Sequence, residues 1–347
     1  MTPTEKLVDP VKSAQAVQLR YVSAAMPGIH RKRNGQGWSY THQGKAVKDK
    51  DIIDRANALV IPPAWKEVWI CPYANGHLQA TGIDVKGRKQ YRYHARWGKV
   101  RGQVKFDRLA ALGKALPKMR KVVDADLRRQ GMPKEKVLAG VIAIMERTRM
   151  RVGNKAYAQA NGSFGLSTLK DHHLKKDHSG THLRFKGKSG KTHDVGLRSK
   201  RLARLVMRCK ELPGQHLFQY EDEAGEVHAV DSGMVNEYIR TATHGDFTSK
   251  DLRTWQGSAC FVEAALRMGP APSLTARRSC VVTMIDKVAE QLGNTRAVCR
   301  SHYIHPRAME HAEAGTLSAM AEGLREGRSR HALSLAEKVL MRICTEK

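Results

Sequence analysis

Apolar residues follow two different periods along this 347-residue chain. Between residues 28 and 93 the helical period is weak, and short apolar or aromatic runs alternate with Gly, Pro and Asn turns, the punctuation of a sheet. Strands are predicted at Trp38-Ser-Tyr40, Val68-Trp-Ile-Cys71, His77-Leu-Gln-Ala80 and Gln90-Tyr-Arg-Tyr93, with a short helix over residues 50–59 that ends before Pro62-Pro63. Beyond Phe106 the period becomes helical. In Val137-Leu-Ala-Gly-Val-Ile-Ala-Ile-Met145 the apolar positions fall at i, i+1, i+4, i+5, i+7 and i+8. Pro133 suits the first turn of that helix and Gly153 its stop, which puts Arg151 at the helix end. Further helices are expected over residues 200–208, 250–266 and 281–292, and in a tail from about 311 to 343. Residues 182–197 break the pattern and read as strand, tight turn and strand around Gly187 and Gly190, with Lys188 at the tip. A hairpin tip can be mobile and can reach into a groove. The fold class expected is therefore α+β: a small antiparallel β-sheet domain over residues 1–100, then a larger, mainly α-helical domain over 101–347 that carries a β-hairpin.

Composition narrows the partner. The chain is 41% hydrophobic, enough for two cores at this length. Its 61 Lys plus Arg against 33 Asp plus Glu give a net charge of +28, which points to a polyanion bound in a salt-sensitive way. Charge says nothing about chemistry, since a non-catalytic nucleic-acid binder is as basic. Between Asp84 and Lys105 stand eight Lys or Arg and one acidic residue, with Tyr91, Tyr93 and Trp97 among them. Cations mixed with rings suit phosphate contact and base stacking, so this segment reads as a DNA-facing edge running into a linker. The six cysteines are scattered, with no Cys-x-x-Cys pair, and read as buried or free thiols in a reducing compartment. No stretch has the apolar run of a signal peptide or a membrane span, so a cytoplasmic, nucleoid-associated protein with no membrane contact is expected.

Chemistry enters with Leu292-Gly-Asn-Thr-Arg-Ala-Val-Cys-Arg-Ser-His-Tyr303, where a phenol follows nine residues after the amide of Asn294, itself just past a helix stop. Upstream, three cations stand in settings that suit phosphate: Arg151 at its helix end, Lys188 on its hairpin, and Arg253 in the first turns of a helix opened by the capping box Thr248-Ser-Lys-Asp251. A phenol that attacks a phosphodiester needs the phosphorane neutralised, needs help against its own pKa of ~10, and needs the departing sugar oxygen protonated. Two guanidiniums supply fork-shaped donors to the non-bridging oxygens. A lysine whose pKa neighbouring cations lower from ~10.4 can serve as the acid, and Lys188 is the natural candidate. Asn294 can donate a hydrogen bond but cannot transfer a proton. A phosphotyrosine ester retains the energy of the bond it replaces, so no ATP is required. The sequence has neither a Gly-x-x-x-x-Gly-Lys-Ser/Thr loop nor an acidic cluster suited to Mg²⁺, and no cofactor or metal is expected. The pairs His172-His173 and His302/His305 have poor zinc spacing and read as surface or DNA-facing groups.

The motifs that carry these residues resemble the poxvirus-like, bacterial type IB DNA topoisomerases over most of the chain. Ile61-Pro-Pro-Ala-Trp65 and Gly82-Ile-Asp-Val-Lys-Gly-Arg-Lys-Gln-Tyr-Arg-Tyr93 are similar to the family's clamp module. Arg151-Val-Gly-Asn-Lys-Ala-Tyr157 with Phe164-Gly-Leu-Ser-Thr-Leu-Lys170, then Phe185-Lys-Gly-Lys188, Lys250-Asp-Leu-Arg253-Thr, Gly293-Asn294-Thr and Ser301-His-Tyr303 resemble its catalytic segments in order. The resemblance implies Tyr303, Arg151, Lys188, Arg253 and Asn294 as the catalytic set. It also implies duplex contacts from Lys86, Arg88, Lys89, Gln90, Tyr91 and Tyr93 in the clamp and from Tyr157, Lys170 and Lys250 beyond it. Viral and eukaryotic members have histidine where this chain has Asn294, which leaves Lys188 more of the acid work. Implied too are a 3′-phosphotyrosyl link, a freed 5′-hydroxyl, swivelling of the DNA, and a monomer that encircles double-stranded DNA as a two-domain clamp.

Two other readings share parts of this pattern. A tyrosine recombinase has the same helical domain, arginines, lysine and tyrosine, but usually a histidine where this chain has Lys250, and a helical rather than sheet-like N-terminal domain. A non-catalytic binder would use the same basic surface and leave no protein covalently attached to DNA.

Overall fold

A computed structural model describes residues 10–346 apart from Lys86, Arg88 and Ser179; the side chains of residues 10, 98–104, 107 and 189 are likewise not described. Two compact units divide the chain, Met1–Asp107 and Arg108–Lys347.

The first unit opens with a short helix, α1 (Pro10–Gln15), and is built on one antiparallel sheet. Its strands are β1 (Ile29–Asn34), β2 (Gly37–His42), β3 (Lys45–Ala46), β4 (Lys66–Ile70), β5 (Leu78–Ile83) and β6 (Lys89–Tyr93), ordered β3-β2-β1-β4-β5-β6. Helix α2 (Lys50–Ala58) starts where the Asp49 carboxylate accepts from the amides of Asp51 and Ile52. Its Ala56 joins Ile29, Tyr40, Ile61, Val68, Ile70 and Ala80 in one apolar cluster. Arg31 donates to the carbonyls of Ile61, Pro62 and Trp65 at 2.9, 2.9 and 3.2 Å, so the Pro-Pro-Ala-Trp segment is held as part of this scaffold. Along β6 the alternation expected of a half-buried strand is absent: Lys89, Tyr91, Arg92 and Tyr93 are all exposed at the sheet edge.

Three stretches depart from the pattern that the sequence predicts. Residues 95–105 do not form a linker: helix α3 (Ala95–Asp126) begins there, and Trp97 is buried against Ala14 and Leu19 instead of facing DNA. Its glycines and cations hid a stripe in which Phe106, Leu109, Leu112, Leu116, Met119 and Val123 recur every third or fourth residue and are buried. Helix α4 (Lys134–Thr148) is buried continuously from Val137 to Met145, but it stops at Arg149, which adopts the left-handed conformation (φ 57°), and not at Gly153. The apolar period fails at Glu146-Arg-Thr-Arg149, and the end of the period, not the next glycine, ends the helix. The tail is not one helix either but three.

The rest of the second unit is α5 (Lys155–Asn161), the three-stranded sheet β7 (Leu174–Asp177), β8 (Gly180–Lys186) and β9 (Thr192–Gly196), α6 (Lys200–Glu211), the ribbon β10 (Gln219–Glu221) and β11 (Val227–Ala229), α7 (Ser232–Thr243), α8 (Ser249–Met268), α9 (Leu274–Leu292), α10 (Arg296–His302), α11 (Pro306–Ala314), α12 (Leu317–Ala321) and α13 (Leu335–Thr345). A half-buried charged cluster ties four of these helices. Arg120 of α3 donates to Glu146 of α4 at 3.0 Å and to Glu337 of α13 at 2.7 Å, and the Trp255 indole of α8 donates to Glu337 at 2.9 Å.

Candidate active site

Arg151 follows α4 in an extended segment that the next segment holds: the amides of Leu166 and Ser167 donate to the carbonyls of Arg151 and Val152 at 2.9 and 2.6 Å. Phe164 in turn donates to Lys186 at 2.8 Å, fastening that segment to the hairpin β8–β9. Lys188 stands at the hairpin's turn, exposed. Arg253 lies one turn into α8, whose start is fixed by the Asp251 carboxylate accepting from the amide and hydroxyl of Thr248 at 2.9 and 2.8 Å. Tyr303 caps α10, its amide donating to Cys299 at 2.9 Å.

These four side chains line one cleft of about 460 Å³, together with Tyr157, Lys250, Ser249 and the Asn154 region, and among the described residues none of its lining is acidic. Arg253 is 4% exposed. Its two terminal nitrogens donate to the carbonyls of Arg149 and Leu292, the latter at 3.0 Å. Those carbonyls end α4 and α9, where a cation is favoured by the helix dipole and by unpaired C=O groups. One guanidinium thus joins the two helix ends from which Arg151 and Asn294 depart. Gly293 makes the second departure possible, since it caps α9 at φ 58°.

Burial, then the nearby charge of Arg151, pushes the Arg253 pKa down, while Tyr303 partly offsets it. Arg151 shifts the same way, chiefly by burial. Both remain cations at neutral pH, so the cleft holds two desolvated positive charges, neither paired with a carboxylate among the described residues. Arg151 also donates to the Asn294 amide oxygen. A guanidinium has only donors, so this contact engages the Asn294 oxygen and leaves Nδ2 as the donor side of the amide, near the Cys299 thiol. Nδ2 of Asn294 and Nε of Arg253 are both buried and unpaired among the described residues, a costly state unless an acceptor arrives.

Several supports have no motif in the sequence. Ser258 donates to the Tyr303 carbonyl at 3.2 Å and accepts from the His305 amide at 3.0 Å. At Gly257 a Cβ would stand 2.6 Å from that same carbonyl, so α8 approaches the tyrosine backbone more closely than any side chain allows. The Tyr303 ring lies 5.4 Å from the Arg253 guanidinium.

Of the residues expected at DNA, Tyr157 and Lys250 line the cleft, whereas Lys170 does not and approaches Gln215 at 3.4 Å. Lys89, Tyr91 and Tyr93 are exposed on β6, the two rings stacked with centroids 6.0 Å apart. Gln90 donates to Asp84 at 2.8 Å. Lys86 and Arg88 lie outside the described residues.

Of the two histidine pairs, His172 and His302 are exposed as expected, whereas their companions are not. His173 and His305 are core groups, each 6% exposed, and burial pushes both pKa values down to about 4. Among the described residues no three His, Cys, Asp or Glu gather as a metal site. Because the unfolded chain binds these protons near pH 6.5, stability present above that pH is lost as pH falls towards 4. Thermal unfolding at pH 7 and pH 5 should therefore show a loss of roughly 2 kcal/mol per buried histidine, and equal stabilities would contradict their burial.

A model of the eukaryotic DNA topoisomerase I catalytic core matches residues 94–328, and one of the bacterial DNA topoisomerase IB N-terminal domain matches residues 37–84. DNA topoisomerase 1B of Acanthamoeba polyphaga mimivirus is 32% identical over 295 residues, which span 82% of this chain and 87% of the viral one. DNA topoisomerase 1 of Rabbit fibroma virus (strain Kasza) is 26% identical over 243 residues, 67% of this chain and 71% of its own. A sheet unit followed by a mainly helical core with these matches defines an enzyme of the DNA topoisomerase class, an isomerase. More particularly, the chain belongs to the type IB DNA topoisomerase family and carries the bacterial form of the N-terminal domain.

Proposed function

We propose that this enzyme relaxes supercoiled duplex DNA without ATP or metal, through a 3′-phosphotyrosyl intermediate on Tyr303. The observation that carries the reading is the meeting of Tyr303 with Arg151, Lys188 and Arg253 in one cleft that no acidic side chain lines among the described residues. The Tyr303 oxygen, losing its proton to solvent, forms a bond to phosphorus as the bond to the 5′ oxygen breaks. Lys188 gives that oxygen a proton. Arg151, Arg253 and the unpaired Asn294 donor receive the non-bridging oxygens as charge accumulates on them. The broken strand swivels, and the 5′-hydroxyl attacks the phosphotyrosine to reseal it. In this reading the sheet domain (residues 1–100) is the clamp of a monomer that encircles the duplex, with Lys86, Arg88, Lys89, Gln90, Tyr91 and Tyr93 against DNA, while Tyr157, Lys170 and Lys250 flank the cleaved phosphate from the helical domain (101–347).

The test is relaxation of positively and negatively supercoiled plasmid in EDTA without ATP. Both should relax, and denaturant should trap protein on a DNA 3′ end. A strict requirement for Mg²⁺, or no trapped adduct, would sink the proposal; recombinant products from two mixed plasmids would favour a recombinase.

For the clamp, Tyr91→Ala/Tyr93→Ala is expected to weaken duplex binding by about 1–3 kcal/mol, the scale of an aromatic–base contact. It should leave the rate of cleavage at saturating protein unchanged. Binding unaltered in a titration at fixed salt would remove these rings from the interface.

A further inference from the structure

The end of the hairpin turn and the second strand, β9, hold two residues, Lys191 and His193, that the chemistry above does not use, and both touch the segment that leads to Tyr303. Lys191 donates to the Asn294 carbonyl at 3.1 Å. His193 stacks on Phe185 with ring centroids 5.0 Å apart and 10° between planes. Its ring occupies a slot between two glycines. A Cβ on Gly187 would stand 2.6 Å from it, and a Cβ on Gly293 would stand 2.8 Å from it and 3.8 Å from Arg151. Any larger residue at 187 or 293 would expel the ring. Meanwhile the turn itself closes through Gly187 donating to Lys191 at 2.8 Å and Gly190 donating to Gly187 at 3.1 Å.

We propose that His193 and Lys191 form a latch that docks the Lys188 turn onto the Gly293–Asn294 segment before DNA binds, so that acid and nucleophile segments are set against each other by one contact. The role is positional: His193 acts by the shape of its ring, wedged between Phe185, Gly187 and Gly293, and Lys191 by its bond to the Asn294 backbone. This deepens the topoisomerase reading and rests on it. It also departs from the expectation of a free hairpin tip, since a turn tied down by the two residues that follow it does not have to find its place after DNA arrives.

The latch is tested with a duplex in which wild-type cleavage has been mapped, prepared with either oxygen or sulfur at the bridging 5′ position. As Tyr303 bonds to phosphorus, a sulfur leaving group departs as thiolate and needs no acid, because a thiol has a pKa of ~8.5. His193→Ala should slow adduct formation on the oxygen duplex on the order of 10–100-fold, the cost of a small misplacement. On the sulfur duplex it should return to within about threefold of wild type, as should Lys188→Ala, since only the protonation step has been disturbed. His193→Phe keeps the ring and should lose no more than a few-fold by the same reasoning. In DNA-free protein, His193→Ala should quicken amide exchange at residues 187–191 while core amides stay protected. Sulfur that rescues Lys188→Ala but not His193→Ala would overturn the latch, and so would a His193→Phe defect as large as that of alanine, or unchanged exchange. Absence of any adduct with wild type on the oxygen duplex would instead strike the topoisomerase reading itself.

Discussion

Tyr303→Phe is expected to bind duplex DNA as wild type does and to form no covalent adduct, with relaxation reduced by at least ~10⁴-fold, the scale on which enzymes lose a covalent nucleophile. The substitution removes one oxygen. It loses the hydroxyl's hydrogen bond with the Arg253 side chain but retains the ring beside Arg253, the amide bonded to Cys299 and the carbonyl held by Ser258, so the backbone that carries the ring keeps its supports. What disappears is a hydroxyl oxygen in the cleft that lies within electrostatic reach of both Arg151 and Arg253 and can bond to phosphorus. The measurement is single-turnover adduct formation on a labelled duplex, with binding followed in parallel. A phenylalanine variant that relaxes plasmid at the wild-type rate would place the nucleophile elsewhere; one that neither binds nor relaxes would show that the hydroxyl matters to the interface and would leave the bond-making role unsupported.

How far the sequence alone leads depends on whether a feature is local. Strands β2, β4, β5 and β6 were legible because aromatic and apolar runs stand between turn residues. Strand β1 was not: Ile29-His-Arg-Lys-Arg-Asn34 looks like a solvated basic loop, and only Ile29 of it is buried. It is a strand because β2 and β4 pair with it on either side. Trp97 misled in the opposite sense. Its basic neighbours suggest an interface, yet the ring fills a gap against Ala14 and Leu19, far away in sequence. In the cleft, the side chains with charge or a reactive oxygen announce themselves by type and motif. Their supports do not. The carbonyls of Arg149 and Leu292 that hold Arg253 are backbone atoms with no residue signature, and Gly257, Ser258 and His193 owe their importance to what lies across from them in the fold.

Arg253→Lys is expected to fail nearly as badly as Arg253→Ala, because the charge is the smaller part of what this residue does. A lysine ammonium retains the positive charge but is a compact point charge on a flexible stem. Arg253 spends both terminal nitrogens on the carbonyls that end α4 and α9, and its buried Nε remains unpaired. An ammonium cannot satisfy two carbonyls that converge from different helices and also meet a phosphate oxygen in a fixed plane. Leaving a buried acceptor unpaired costs about 1–3 kcal/mol, and here the acceptors belong to the residues that launch Arg151 and Asn294, so their loss is expected to move the two groups proposed as the other phosphate donors. The rate of adduct formation at saturating enzyme should drop on the order of 10²–10³-fold for either substitution, as when one preorganised donor to a developing oxyanion is removed. Structural and chemical losses separate by measurement. If lysine merely loosened the fold, melting temperature and duplex affinity would decline together with the rate, and cooling would restore activity. If the fork is needed at the phosphate, the lysine variant at low temperature should be folded, should bind DNA, and should still form adduct slowly. Wild-type rates for Arg253→Lys would show that charge alone suffices and that the two helix ends hold their positions without the guanidinium.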